Sequence, residues 1–222
     1  MEYLKLLVRR AVASALEWEA RLVILRYKPK IIAITGSVGK TSTKDAIYGV
    51  LAENFRVRKS EKSYNSEMGL PLTILGQKTA WMNPWGWAKI LFMGATESVF
   101  PGKYPETLVL EVGAERPGDI TNITKWLRPD IAVLTRLPDV PVHIEFFADR
   151  DAVVREKLAL AAGVKTGGLI IYNADDETLE THLSGVSERV MTYGFAATAD
   201  IRAEGPEIFY EDTDCSPSGP VP

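Results

Sequence analysis

The stretch IIAITGSVGKTSTKDAIYGVL, residues 31–51, constrains this chain more than any other part of it. A run of β-branched apolar residues enters a turn containing Gly36 and Gly39, and a helical pattern leaves it. A strand–turn–helix unit of this kind aims several backbone N–H groups at one point, where the positive end of the helix dipole also lies, and so forms a seat for an anion. Lys40 is placed to neutralise the outer phosphates of a nucleotide, and the Thr41 hydroxyl is of the type that ligates magnesium. Gly36, Ser37, Val38, Gly39, Lys40, Thr41 and Ser42 are therefore the expected nucleotide-binding residues. The common phosphate loop has a further glycine five residues before its Gly-Lys pair; Ile34 stands there, and the nearest glycine is Gly36.

After residue 30, short β-branched runs alternate with longer helical patterns, the habit of an α/β fold whose mostly parallel sheet carries helices on both faces. Strands are expected at 31–35, 107–112, 131–135, 169–172 and 189–193. Helical patterns fall between them: Ile47, Val50 and Leu51 share one face, and Val154, Leu158 and Ala161 share another within 151–162. The segment 76–106, rich in Trp, Pro and Gly, reads as a helical excursion, and a strand pair followed by an aperiodic tail begins at Ala199. The expected organisation is an N-terminal amphipathic helix over 1–29, a nucleotide-binding α/β domain over 30–205, and a flexible tail or truncated start of a following region over 206–222.

Residues 3–27 are apolar enough to raise a membrane span or an export signal. Arg9, Arg10, Glu17, Glu19 and Arg21 interrupt every window long enough to cross a bilayer, and no small-residue cleavage site follows a short apolar core. Leu4, Leu7, Val8, Ala11, Ala15, Trp18, Leu22 and Leu25 follow helical spacing, which predicts a stripe packed on the domain or a partner, with peripheral membrane contact as the alternative. The net charge of −3 and the lack of a Lys/Arg cluster argue against nucleic acid as a partner. The single cysteine, Cys215, rules out an internal disulfide framework and fits a reducing, cytoplasmic setting.

Ligands of an open parallel sheet collect beyond the carboxyl ends of its strands, and the remaining candidates all belong there. Glu111 ends the apolar run Leu108-Val109-Leu110 and is either a solvated end charge or a carboxylate whose desolvation calls for a cation, magnesium being the expected one. His143 follows the third strand and is either a ligand or a structural hydrogen-bonding residue. Lys157 is either an exposed helix lysine or a buried amine able to take up carbon dioxide. Asn173 follows the fourth strand, where it can read an adenine edge, while Asp175 and Asp176 suit helix capping and His182 the surface.

The spelling TGSVGKTSTK, residues 35–44, resembles the nucleotide loop of the Mur ligases, which also lacks the earlier glycine. NSEMGLPLTIL (65–75) is similar to that family's asparagine-bearing loop and Gly-x-Pro-Leu-Thr helix, most closely in the MurF type that adds a D-alanyl-D-alanine dipeptide. LEVGAERPGDI (110–120), VHIEFF (142–147), YNADDE (172–177) and YGFAATADIRA (193–203) resemble further family segments in order, over about residues 30–205. Arg136, Ala159 and Ser66 depart from the family's usual Asn, Glu and Asn.

The resemblance implies a central ATP-binding domain of an ADP-forming amide ligase of peptidoglycan-precursor type. ATP and Mg2+ would be the cofactors, and Lys40, Glu111, His143 and Lys157 the catalytic set. Thr41, Glu111, His143 and a carbamylated Lys157 would hold metal, with Asn173 at the adenine. The partners it implies are a carboxylate acceptor like a UDP-MurNAc-peptide and an amino acid or dipeptide supplying the amine. Another ligase of this group, of poly-glutamate type, and a nucleotide-binding scaffold without turnover are the competing readings.

Overall fold

A computed structural model of the chain describes residues 2–61, 64–80, 83–100, 102–137, 146–187 and 189–205, with side chains from residue 7 onward. Seven strands form one sheet: β1 (Lys30–Thr35), β2 (Val57–Lys59), β3 (Thr107–Glu111), β4 (Ile131–Leu134), β5 (Leu169–Asn173), β6 (Arg189–Gly194) and β7 (Ile201–Arg202). Their order is β2-β3-β1-β4-β5-β6-β7, and every neighbouring pair is parallel. The helices are α1 (Glu2–Tyr27), α2 (Lys40–Ala52), α3 (Gly69–Leu75), α4 (Pro84–Val99), α5 (Asp119–Leu127), α6 (Arg150–Ala162) and α7 (Glu177–Leu183).

The apolar runs are continuous because the central strands are covered on both faces. Ile31, Ala33, Leu108 and Leu110 point to one side, into a core shared with Leu16, Leu70, Ile120 and Leu160. Ile32, Ile34, Val109 and Val133 point to the other, against Ile47 and Leu51 of α2. Val50, expected on that same helix face, is exposed instead.

The five expected strands form, each within a residue or so of its predicted bounds. β2 was not expected: Val57-Arg58-Lys59 has no apolar period, and it is a strand because β3 offers it an edge. Of the strand pair expected after Ala199, only β7 lies among the described residues, running parallel to β6. The excursion at 76–106 is helical as expected. α4 starts where Asn83 Oδ1 accepts the N–H groups of Trp85 and Gly86, with Pro84 in the first turn, where its missing N–H costs nothing.

α1 packs on α3 and α4, but not through the predicted stripe. Its buried residues are Ala13, Leu16, Glu19, Ala20 and Val23, whereas Leu7, Val8, Trp18 and Leu25 face outward. The buried face mixes small and large residues, and the lack of a side chain at Gly94 of α4 is what lets Glu19 fit against it. At the closest point a Cβ on Gly94 of α4 would lie 2.1 Å from Glu19 Oε2.

Glu19 is 6% exposed there, and its Oε2 has no hydrogen-bond partner among the described residues. Burial pushes its carboxyl up to about 7. Below the unfolded value of 4.5 both states are protonated; between 4.5 and about 7 only the unfolded state ionises; above 7 the buried charge weighs on the fold in full. Stability should therefore fall by up to about 3 kcal/mol as pH rises through that window. Glu19→Gln should remove most of that slope in denaturant unfolding measured from pH 4.5 to 8.

Candidate active site

The carboxyl end of β1 runs straight into the glycine turn. Gly36 has φ +141°, and any side chain there would meet Thr135 Oγ1 at 1.9 Å, so only glycine lets the turn close against the end of β4. Thr135 Oγ1 donates to the Val38 carbonyl at 2.6 Å, and the Ser37 N–H donates to the Arg136 carbonyl at 2.8 Å. The turn is thus fixed in shape by β4, and Arg136 acts there through its backbone. Gly39, at φ +84°, opens α2. Among the described residues no side chain caps that helix, and no acid stands in its first turn, so its dipole and N–H groups are open to an anion.

Three lysines converge on this end of the sheet. Lys40 Nζ donates to the Ser37 carbonyl at 3.3 Å; burial lowers its pKa and the charge of Glu111 opposes the shift. Lys157 is 5% exposed, which settles its alternative readings in favour of burial, and its Nζ donates to the Gly36 carbonyl at 3.1 Å. Burial first, and then the charge of Lys40, bring its pKa down to about 8, against an opposing pull from Glu156. Lys44, 2% exposed, sets its Nζ 3.6 Å from Glu111 Oε2 and 3.8 Å from Asp45.

Glu111 is 8% exposed at the end of β3. Its Oε2 accepts the Thr41 hydroxyl at 2.9 Å and faces Lys44, and its own N–H donates to Ser60 Oγ at 2.9 Å. Among the described residues only Oε2 is engaged, which leaves Oε1 and its lone pairs for a further cation. Thr41 beside a buried carboxylate is a donor set that suits magnesium, a hard cation that takes oxygen ligands. His143, expected as a further ligand, lies outside the described residues. Asn173 ends β5 on the same edge of the sheet, where its Oδ1 accepts the Asp175 N–H. Asp176 caps α7 by accepting the N–H groups of Thr178 and Leu179, and it also takes the Leu137 N–H. Asp175 accepts the Phe195 and Ala196 N–H groups instead. His182 is exposed, as expected.

A cleft of about 470 Å³ opens over this edge, of a size that suits a small-molecule ligand. Ser37, Lys40 and Lys157 line it on the side of the turn, Asn65 and Gly113 across from them, and α1 contributes Arg9 and Arg10. Gly113 donates its N–H to the Asn65 carbonyl, and a Cβ there would sit 2.9 Å from Asn65 Nδ2.

Sequence reasoning missed Lys44, Ser60, Thr135 and Glu156. Lys44 was legible, since it stands four residues after Lys40 and so shares its helix face. Glu156 is buried beside Lys157 and accepts the N–H groups of Gly118, Ile120 and Thr121, closing the N-terminus of α5 from α6. Ser60 and Thr135 gave no local signal.

A glycine turn after a central parallel strand, an uncapped helix N-terminus opened by lysine, and a buried acid against the following threonine define a phosphate-loop α/β domain. Residues 34–217 match the Mur ligase middle domain, and the chain belongs to the Mur ligase family. It is 28% identical over 191 residues to the UDP-N-acetylmuramoyl-tripeptide--D-alanyl-D-alanine ligase of Bacillus subtilis, covering 86% of this chain and 35% of that one. Identity to the ligase of the same name from Mycobacterium leprae is 32% over 161 residues, 72% of this chain and 26% of that one. A crystal structure of MurF ligase from Thermotoga maritima in complex with ADP superposes with TM-score 0.64 at 28% identity, over 82% of this chain and 36% of that one. The chain thus spans about a third of the length of the relatives it matches.

Proposed function

We propose that the chain carries the ATP-binding and carboxylate-activating half of an ADP-forming carbon–nitrogen ligase acting on a peptidoglycan precursor in the cytoplasm. The observation that carries this reading is the juxtaposition of an uncapped phosphate turn with a buried glutamate at the end of the adjacent strand, 2.9 Å from Thr41. In this reaction class an oxygen of the acceptor carboxylate bonds to the γ-phosphorus of ATP and ADP leaves. The amine then forms the C–N bond as phosphate leaves and its proton passes to solvent.

Lys40 and the free N–H groups of α2 hold the outer phosphates and stabilise the charge that gathers on the transferring group. Thr41 would hold one magnesium, and Glu111, His143 and a carbamylated Lys157 would hold another. When bound, the metals supply charge neutralisation that holds the phosphoryl group and the acceptor carboxylate together. Asn173 is assigned to the adenine edge. The amine is an amino acid or a dipeptide such as D-alanyl-D-alanine, as the names of the relatives suggest.

The test is ADP release in the presence of Mg2+ and ATP, with and without UDP-N-acetylmuramoyl-tripeptide. Release that depends on the acceptor, with an acyl phosphate trapped by hydroxylamine, is the expected result. Tight ATP binding without release makes the chain a scaffold instead. Carbamylation has its own check. A pKa of about 8 leaves roughly half of the Lys157 amines uncharged at that pH, ready to bond to the carbon of CO2 and give up a proton. Isotopically labelled bicarbonate should add one carbon dioxide at pH 8 and far less at pH 6, and Lys157→Arg should abolish the uptake.

A further inference from the structure

α1 lies wholly before the first residue matched by the family description, yet it forms one wall of the cleft. It is held there by Ala13, Leu16, Ala20 and Val23, all buried, so the turn that precedes Ala13 has a fixed position. That turn carries Arg9 and Arg10. Both line the same cleft as Lys40 and Lys157, both are exposed, and neither has an ion pair or hydrogen bond among the described residues.

The local balance of charge makes this placement informative. Leaving aside Lys157, which the ligase reading makes a carbamate, Arg9, Arg10, Lys40 and Arg116 put four cations on the cleft against the three carboxylates of Glu67, Glu115 and Asp119, and Asp119 Oδ2 already accepts the N–H groups of Glu115 and Arg116. Successive helix residues leave the axis about 100° apart, so Arg9 and Arg10 reach the cleft from two directions on one turn. Guanidinium is the side chain that best matches the oxygens of a carboxylate or phosphate, and such charged hydrogen bonds are the strong ones. The uncapped start of α2 and Lys40 are the groups already assigned to the nucleotide's phosphates. The arginine pair is left over.

We infer that Arg9 and Arg10 form an anion subsite for the acceptor. Besides the carboxylate that is phosphorylated, the acceptor carries a second oxyanion, carboxylate or phosphate, held by this pair. α1 is then a substrate-binding element as well as a packing one. The inference rests on the ligase reading for its ligand, but its test needs no turnover.

The chain, saturated with ADP and Mg2+ so that the phosphate turn is filled, is titrated calorimetrically with UDP-N-acetylmuramoyl-tripeptide, with the free tripeptide and with inorganic pyrophosphate. Arg9→Gln/Arg10→Gln should weaken binding about tenfold or more while ADP affinity stays unchanged, and the double lysine variant should recover part of the loss. A loss seen with pyrophosphate and the UDP compound identifies a phosphate as the group held; a loss seen with the free tripeptide identifies a carboxylate. Both residues are exposed on an anchored helix, and an unchanged thermal unfolding curve confirms the fold. Equal binding by native and variant chains overturns the inference, as does failure of the native chain to bind any of the three, or an equal loss of ADP affinity. A native chain that binds acceptor through the pair but forms no acyl phosphate defeats the ligase reading alone. Turnover with unchanged acceptor KM in the variant defeats the subsite alone.

Discussion

Glu111→Gln should leave ADP bound and stop acyl phosphate formation, lowering it about 10²–10³-fold. The substitution keeps the shape of the side chain and removes the charge that Oε1 offers to a cation. It also strands Lys44, 2% exposed, whose remaining acid is Asp45 at 3.8 Å. Removing one partner of a buried pair destabilises by a few kcal/mol, and with Asp45 retained the expected loss is about 2 kcal/mol. The two effects separate in Glu111→Gln/Lys44→Met, which should regain stability in denaturant unfolding without regaining acyl phosphate in the hydroxylamine assay. Recovery of activity in the double variant would make Glu111 a merely structural partner of Lys44.

Lys40→Ala should weaken ATP and ADP binding roughly a hundredfold, the scale for truncating one side of a desolvated charge contact. The α2 dipole and the N–H groups of the turn survive the change, so residual binding should persist and respond steeply to salt. Lys40→Arg should not rescue it, because a planar fork cannot take the place of a compact ammonium folded back on the Ser37 carbonyl. Lys40→Ala carries a second signature. The charge of Lys40 helps hold the Lys157 pKa down, so its removal should raise that pKa and reduce labelled bicarbonate uptake at pH 8. Equilibrium binding and carbon dioxide uptake on one variant thus read the two lysines as a coupled pair.

The sheet was legible because its signals are local. Ile31–Thr35, Leu108–Leu110 and Ile131–Leu134 are apolar without alternation, which a short strand satisfies only when both faces are covered. The phosphate turn was legible for the same reason: Gly36, Gly39 and Lys40 build it within six residues. β2 was invisible, since Arg58 and Lys59 become strand residues only by pairing with β3.

By itself the sequence determined the parallel α/β order, the glycine turn at 36–41 between β1 and α2, and the placement of Glu111 and Asn173 at strand ends on one edge of the sheet. All three follow from periods and spacings that act over a few residues. Only the tertiary structure decided which face of α1 is buried, that Thr135 and Arg136 shape the turn, that Lys157 is enclosed with a lowered pKa, and that Arg9 and Arg10 overlook the cleft. Those outcomes depend on how closely distant segments approach, as Gly94 of α4 shows by leaving room for Glu19 of α1 where any side chain would clash.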